Sequence, residues 1–320
     1  MPEEISINKH TVGPGEQKVI QLNIARLPTH TNIDLSVHVY RAKKDGPVLL
    51  LTGGLHGDEI NGIEIIRRMI VREELFPEKG TVIAIPLVNI YGFIQSVRGM
   101  PDGKDINRSF PGVKTGSLAR LLAFTLMNEI VPQVDYGIDF HTGGASRANY
   151  PQIRCTLEID KNRELARAFA PPVIVNAKLI DKSFRKSAYK KGKHILVYET
   201  GEAQRLDPDG IRLGIEGTQR LMNHLGMRPS APDADYETET FPRSTWIRAR
   251  YAGLFQPRID LGNRIQERQV LGYITDPFGS ESFKTVSPKS GRIIGINNTP
   301  MVHKGDALVH LAFTPNNDET

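Results

Sequence analysis

The stretch Pro47-Val-Leu-Leu-Leu-Thr-Gly-Gly-Leu-His-Gly-Asp-Glu59 is a short unbroken apolar run that stops at two glycines and then turns polar. A run of that length without polar alternation suits a strand buried on both faces of a parallel sheet. Directly after it, Ile63, Ile66, Met69 and Ile70 recur at helical spacing within Ile60 to Val71. Strand, polar turn and helix follow one another in a single βα unit. The same alternation spreads outward. Thr81 to Val88 is rich in β-branched residues and reads as the next buried strand. Ser117 to Ile130 reads as a second amphipathic helix with a serine cap. Val134 to Phe140, Pro172 to Val175 and His194 to Tyr198 read as strands, and Asp207 to Leu225 as a long helix closed at Gly226. On the N-terminal side, Val19 to Ile24 and Leu35 to Tyr40 read as short strands. The pattern predicts an α/β fold with a mostly parallel mixed sheet flanked by helices.

The pattern changes after Pro229 to Glu239, a polar, proline-marked linker. From Thr245 to Phe313 only short strand-like pieces remain, separated by glycines such as Gly253, Gly262, Gly272, Gly291 and Gly305. The expected organisation is a catalytic domain over 1–230 and a small all-β domain over 240–320. The 320 residues, 39% hydrophobic and 24% charged, are enough for a sizeable core with no sign of disorder. Apolar runs such as Val48 to Leu51 are too short to span a bilayer. Met1-Pro-Glu-Glu lacks the basic-then-apolar signature of a secretory leader, and one cysteine, Cys155, permits no internal disulfide. A cytoplasmic protein without membrane partners is expected. The net charge of +5 is spread along the chain, so no nucleic-acid partner is read from it. Its densest patch, Lys182 to Lys193, reads as a solvated loop.

Three polar clusters follow three of the strands: Gly53 to Glu59, His141-Thr-Gly-Gly144 and Glu199-Thr-Gly201. Ligands of open α/β sheets bind beyond the carboxyl ends of strands, so the clusters point to one shared site. His56 and Glu59, three residues apart, can face the same way on a tight turn. With His141 they make a set of three protein ligands for one catalytic Zn2+. Glu199, at the end of its strand, is placed to move protons for water and a leaving amine, with Glu202 as the rival carboxylate. The loop Arg98 to Gly112 holds Arg98, Asn107 and Arg108. Arg108 and Asn107 are candidates to bind a substrate carboxylate, and Arg98 to stabilise an oxyanion. Each arginine alone could equally be a surface ion pair.

Together, Gly-Gly-Leu-His56-Gly-Asp-Glu59, Asp105-Ile-Asn107-Arg108-Ser-Phe-Pro-Gly, Asp139-Phe-His141-Thr-Gly and Glu199-Thr-Gly201 resemble the succinylglutamate desuccinylase/aspartoacylase family, over about Val48 to Gly201. The resemblance implies the zinc carboxypeptidase-like fold, zinc on His56, Glu59 and His141, and a catalytic Glu199. It also implies carboxylate binding by Asn107 and Arg108, with Arg98 near the reacting carbonyl. Val286 to Gly291 and Val302 to Asp306 resemble the glycine spacing of a biotinyl/lipoyl-type barrel sandwich. The hairpin around Asp276 to Ser282 has no lysine to carry a prosthetic group, so this module is expected to be architecture that limits access to the cleft.

The expected activity is deacylation of a small N-acyl amino acid, the only partner expected besides a homo-oligomeric copy, which the sequence leaves open. A metallocarboxypeptidase acting on peptide C-termini is the alternative. Arg147, Arg154, Arg185 and Tyr189 are candidates to contact the distal end of the substrate.

Overall fold

The computed structural model describes residues 4–26 and 29–315. Strands β1 (Ile5–Ile7) and β2 (His10–Val12) form a small hairpin. The chain then runs through β3 (Gln17–Arg26), β4 (Asn32–Arg41), β5 (Lys44–Thr52), α1 (Ile60–Val71), β6 (Lys79–Ile85), α2 (Ile90–Gln95) and α3 (Leu118–Thr125). It continues through β7 (Tyr136–Gly143), β8 (Arg147–Cys155), α4 (Asp160–Phe169), β9 (Val173–Asn176), α5 (Phe184–Tyr189), β10 (His194–Glu202) and α6 (Pro208–His224). Then come β11 (Glu239–Phe241), β12 (Arg243–Arg248), β13 (Gly253–Pro257), β14 (Arg264–Ile265) and β15 (Val270–Thr275). Strands β16 (Ser282–Val286), β17 (Gly291–Asn297), β18 (Met301–Val302) and β19 (Ala307–Phe313) end the described chain.

The large sheet has the order β12-β19-β17-β8-β10-β7-β5-β6-β4-β3. It is mixed: β10, β7, β5 and β6 run parallel at its centre and the wings of this path pair antiparallel, while β9 and β11 branch from β8 as parallel strands. Leu49, Leu50 and Leu51 of β5 are all buried, because helices cover both faces. Leu50 faces a core with Ile83, Leu122 and Ile195, whereas Leu49 and Leu51 face another with Ile65, Met69 and Ile215. Each fully buried leucine contributes roughly 1.5–3 kcal/mol, so this run is a main anchor of the sheet. Gly62 lets α1 lie close on β7, since a Cβ there would sit 2.5 Å from Phe140 Cβ.

The C-terminal part forms its own four-stranded sheet, β16-β15-β13-β18, which packs through Phe255, Leu271 and Ile274 on Ile293, Val309 and Leu311 of the large sheet. Ladder pairing crosses from the early chain to the late one, with β17 on β8 and β11 on β9.

Three local expectations change. The helix begun at Leu118 becomes a wide π turn at Leu126–Ile130, and Ser117 holds the cap position without a hydroxyl cap bond. The basic patch over 182–193 is not a solvated loop: it contains α5, whose Phe184, Arg185, Ser187 and Ala188 are buried. Its apolar residues pack inward while its lysines remain outside, a division that charge density alone conceals. Finally, β8 and α4 fill the region between β7 and β9, where no element is expected from the sequence; β8 carries Pro151 and two arginines, which break the strand pattern.

Candidate metal centre and cleft

His56 and Glu59 lie in the tight connection between β5 and α1. Its bend brings the Glu59 amide within 3.2 Å of the His56 carbonyl, to which it donates. Gly57 makes the bend possible, because a Cβ there would fall 1.9 Å from the Gly92 carbonyl carbon in α2. His141 comes from β7, two positions after Asp139 and therefore on the same face of that strand. One ligand atom from each of His56, Glu59 and His141 lies within 4.8 Å of the others, and all three residues are buried.

The surroundings orient the two imidazoles. His56 Nε2 donates to Asp105 Oδ1 at 3.1 Å, and His141 Nε2 donates to Asp139 Oδ2 at 2.8 Å. Asp139 in turn accepts from the Thr52 hydroxyl at 2.7 Å. Both Nδ1 atoms are thereby turned toward Glu59. His141 Nδ1 is 2.8 Å from Glu59 Oε2, and His56 Nδ1 is 2.7 Å from Oε1. The latter contact is not aligned as a hydrogen bond, which leaves a buried imidazole nitrogen without a partner.

Electrostatics point the same way. Burial opposes protonation of His56 and His141, but Glu59 with Asp105 and Asp139 outweighs it and raises both histidines. Burial would raise Glu59, yet the two histidines hold it well below the usual carboxylate range. The carboxylates around the two histidines thus favour positive charge in this group. An orphaned Nδ1, a second carboxylate-oriented imidazole and a central carboxylate fit a divalent metal of the zinc type.

Around this group opens a cleft of about 670 Å³. It collects Arg98, Asn107, Arg108 and Glu199 beside the metal candidates. Glu199 stands across from His141 in the parallel β10–β7 ladder. Its Oε2 accepts from Asn149 Nδ2 at 2.8 Å. Arg98 forms ion pairs with Glu59 Oε1 at 2.7 Å and Asp105 Oδ2 at 3.1 Å. Asn107 Oδ1 accepts from the Phe184 amide at 2.9 Å, and Arg108 Nη1 donates to the Asn107 carbonyl at 2.7 Å.

Of the distal candidates, Arg147, Arg154 and Arg185 line the cleft, whereas Tyr189 packs edge-on against His194 outside it. Glu202 accepts from Asn298 Nδ2 at 2.9 Å and is not in the lining. Sequence reasoning assigned no role to Asp105, Asp139, Lys178 or Trp246. The strand position of Asp139, two before a ligand histidine, was a usable signal; Trp246, from β12, had none.

Comparisons with known proteins identify the family. The succinylglutamate desuccinylase/aspartoacylase catalytic domain matches residues 45–225. The N-alpha-acetyl-L-2,4-diaminobutyric acid deacetylase of Halomonas elongata is 27% identical over 244 residues, spanning 72% of this chain and 71% of that protein. The crystal structure of a succinylglutamate desuccinylase/aspartoacylase from Rhodobacter sphaeroides aligns with a TM-score of 0.83 at 25% identity, over 94% of this chain and 96% of that one. Product-bound ectoine utilization protein EutE (DoeB) from Ruegeria pomeroyi shares the fold, with a TM-score of 0.80 at 22% identity over 93% and 95% of the chains. Fold and relatives together define a hydrolase of the deacylase class. The chain belongs to the succinylglutamate desuccinylase/aspartoacylase family.

Proposed function

We propose that the protein is a zinc-dependent deacylase that hydrolyses the amide bond of a small N-acyl amino acid. The observation that carries this reading is the meeting of His56, Glu59 and His141 with Glu199 in a single cleft. His56 and His141 would hold one Zn2+ through Nδ1, and Glu59 through its carboxylate. Zinc in such a site polarises a carbonyl and acidifies water.

The protein's own groups do the rest. Glu199 takes the proton of the attacking water and returns it to the nitrogen of the departing amine. Asn107 and Arg108 hold the substrate carboxylate and so fix the amide relative to Glu199. Arg98 donates to the oxyanion as the carbonyl becomes tetrahedral. Positive side chains prevail in the lining, which favours an anionic substrate. The acyl amino acid class accords with the Halomonas relative, a deacetylase of an acetylated amino acid.

Catalysis is assigned to residues 1–230, and the β module over 240–320 walls the cleft. Trp246, which that module places in the lining, favours a small substrate over a long peptide and so the deacylase over the metallocarboxypeptidase. Among the described residues no helix is long and apolar enough to cross a membrane. Cys155 is buried and its thiol is pushed up to about 12 by burial, which leaves it unreactive.

The test is turnover of a panel of N-acyl amino acids and of dipeptides with free C-termini by the zinc-loaded protein. Hydrolysis of the acyl amino acids is expected. Cleavage confined to the dipeptides would replace the deacylase with a carboxypeptidase.

A further inference from the structure

Among the described arginines of the cleft, Arg154 alone holds a buried side-chain donor without a partner. Arg98 is taken up by Glu59 and Asp105. Arg185 spends its guanidinium on the carbonyls of Arg154, Ala177 and Lys178, at 2.7 to 3.0 Å. Arg147 lies over the Trp246 ring, 5.5 Å from its centroid. Among the described residues the Arg154 guanidinium makes no hydrogen bond. Its nearest carboxylate oxygen, Glu199 Oε1, is 3.8 Å away, beyond hydrogen-bond reach. Its Nε is buried without a partner. A buried donor left unpaired destabilises the free protein, and such a group calls for a partner that arrives from outside.

The position is rigid and electropositive. Arg154 sits on β8 between β10, opposite Val197, and β9, opposite Val175. Its carbonyl is clamped by Arg185 Nη1 at 3.0 Å. Near it His310 stacks flat on Trp246, with ring centroids 4.6 Å apart and planes 11° from parallel. Burial and the Arg154 charge push His310 down to about 3, so this ring stays neutral and adds no second positive charge beside Arg154. Among the described residues Glu199 is the only carboxylate within 4.0 Å of Arg154, and its Oε2 is already held by Asn149.

We propose that Arg154 is a specificity-determining residue that binds a second carboxylate of the substrate, apart from the one taken by Asn107 and Arg108. This rests on the deacylase reading and deepens it. A planar guanidinium with free donors pairs with a carboxylate through two hydrogen bonds. A substrate with a cationic side chain meets repulsion at the same point. The second carboxylate can come from the acyl group or from the amino-acid side chain, and both present the same chemistry to Arg154.

Binding and turnover separate the subsite from the reaction. Trp246 is the sole tryptophan and lines the cleft, so its fluorescence reports occupancy without any turnover. The zinc-loaded protein is titrated with N-acetylglutamate, N-succinylalanine, N-acetylalanine and an N-acetyl diamino acid, beside Arg154→Met and Arg154→Lys. At least one of the first two should bind roughly tenfold or more tighter than N-acetylalanine, and the diamino acid more weakly. Which of the two gains shows whether the carboxylate belongs to the side chain or to the acyl group. Arg154→Met should erase the preference, seen in KM far more than in kcat. Arg154→Lys, which keeps charge and bulk, should retain part of it and carries the test if the methionine variant does not fold. Equal affinity for singly and doubly anionic ligands in the unaltered protein, or an undiminished preference in Arg154→Met, overturns the subsite. Selective binding without hydrolysis would keep the subsite and remove the deacylase reading.

Discussion

Glu199 and His141 stand opposite each other on neighbouring strands, and the proposed reaction divides proton transfer and metal binding between them. Glu199→Gln should keep its zinc and lose turnover by roughly 10²–10⁴-fold. His141→Ala should lose both. Metal content by atomic absorption beside kcat distinguishes the two, and near-normal rates in Glu199→Gln would remove its catalytic role. Asp105 is a second pivot of the site. Its Oδ1 accepts from His56 Nε2 and, at 2.7 Å, from the Asn107 amide, while Oδ2 accepts from Arg98. One carboxylate thus touches the metal candidate His56, the Arg98 proposed to meet the oxyanion and the Asn107 proposed to hold the substrate carboxylate. Asp105→Asn and Asp139→Asn should each weaken zinc binding by about 10–100-fold in a chelator competition. Unchanged affinity in both would detach these carboxylates from the metal.

At the scale of elements, the metal ligands depend on how closely α2 approaches the β5–α1 connection. Gly57 rests against the backbone of Gly92 and Phe93, where even a methyl group has no room. Gly57→Ala should cost about 1–3 kcal/mol through overpacking and should weaken zinc binding as His56 shifts. Thermal melts with and without zinc check this; an unaltered melting temperature would mean that α2 moves aside freely. The far end of β10 is secured differently. Asp207 caps α6 through the Gly210 amide at 3.1 Å and accepts from the Thr200 hydroxyl at 2.8 Å, directly after Glu199. Asp207→Ala should lower stability by about 1 kcal/mol in a denaturant melt. A larger fall in activity than in stability would show that this cap also sets the position of Glu199.

Across the whole molecule, the late strands complete the early sheet. β17 covers β8 through Gly295 opposite Asn149, and Arg292 pairs with Glu239 to tie β14, β17 and β11 together. Ending the chain after residue 230 would bare the β8 and β9 ladders and remove Trp246 from the cleft. Such a truncation should be insoluble on expression, because open strand edges template aggregation; a soluble, zinc-binding fragment would show that the first 230 residues fold alone. The sequence by itself determined the βα units, the polar groups at three strand ends and the change to glycine-marked strands after residue 230. Those features are local: apolar period, glycine stops and caps are written in neighbouring residues. It also named four side chains that meet in the cleft, His56, Glu59, His141 and Glu199, because each stands at or just past the end of its own strand. Only the tertiary structure decided which charges meet. The β10–β7 register placed Glu199 beside His141, Arg98 was engaged by Glu59 and Asp105, and Arg154 kept its donors unspent. The same holds for α5, hidden in a basic run, and for Trp246, carried in by a strand from the far end of the chain. Long-range pairing sets where a side chain points, and no short window of sequence contains both partners.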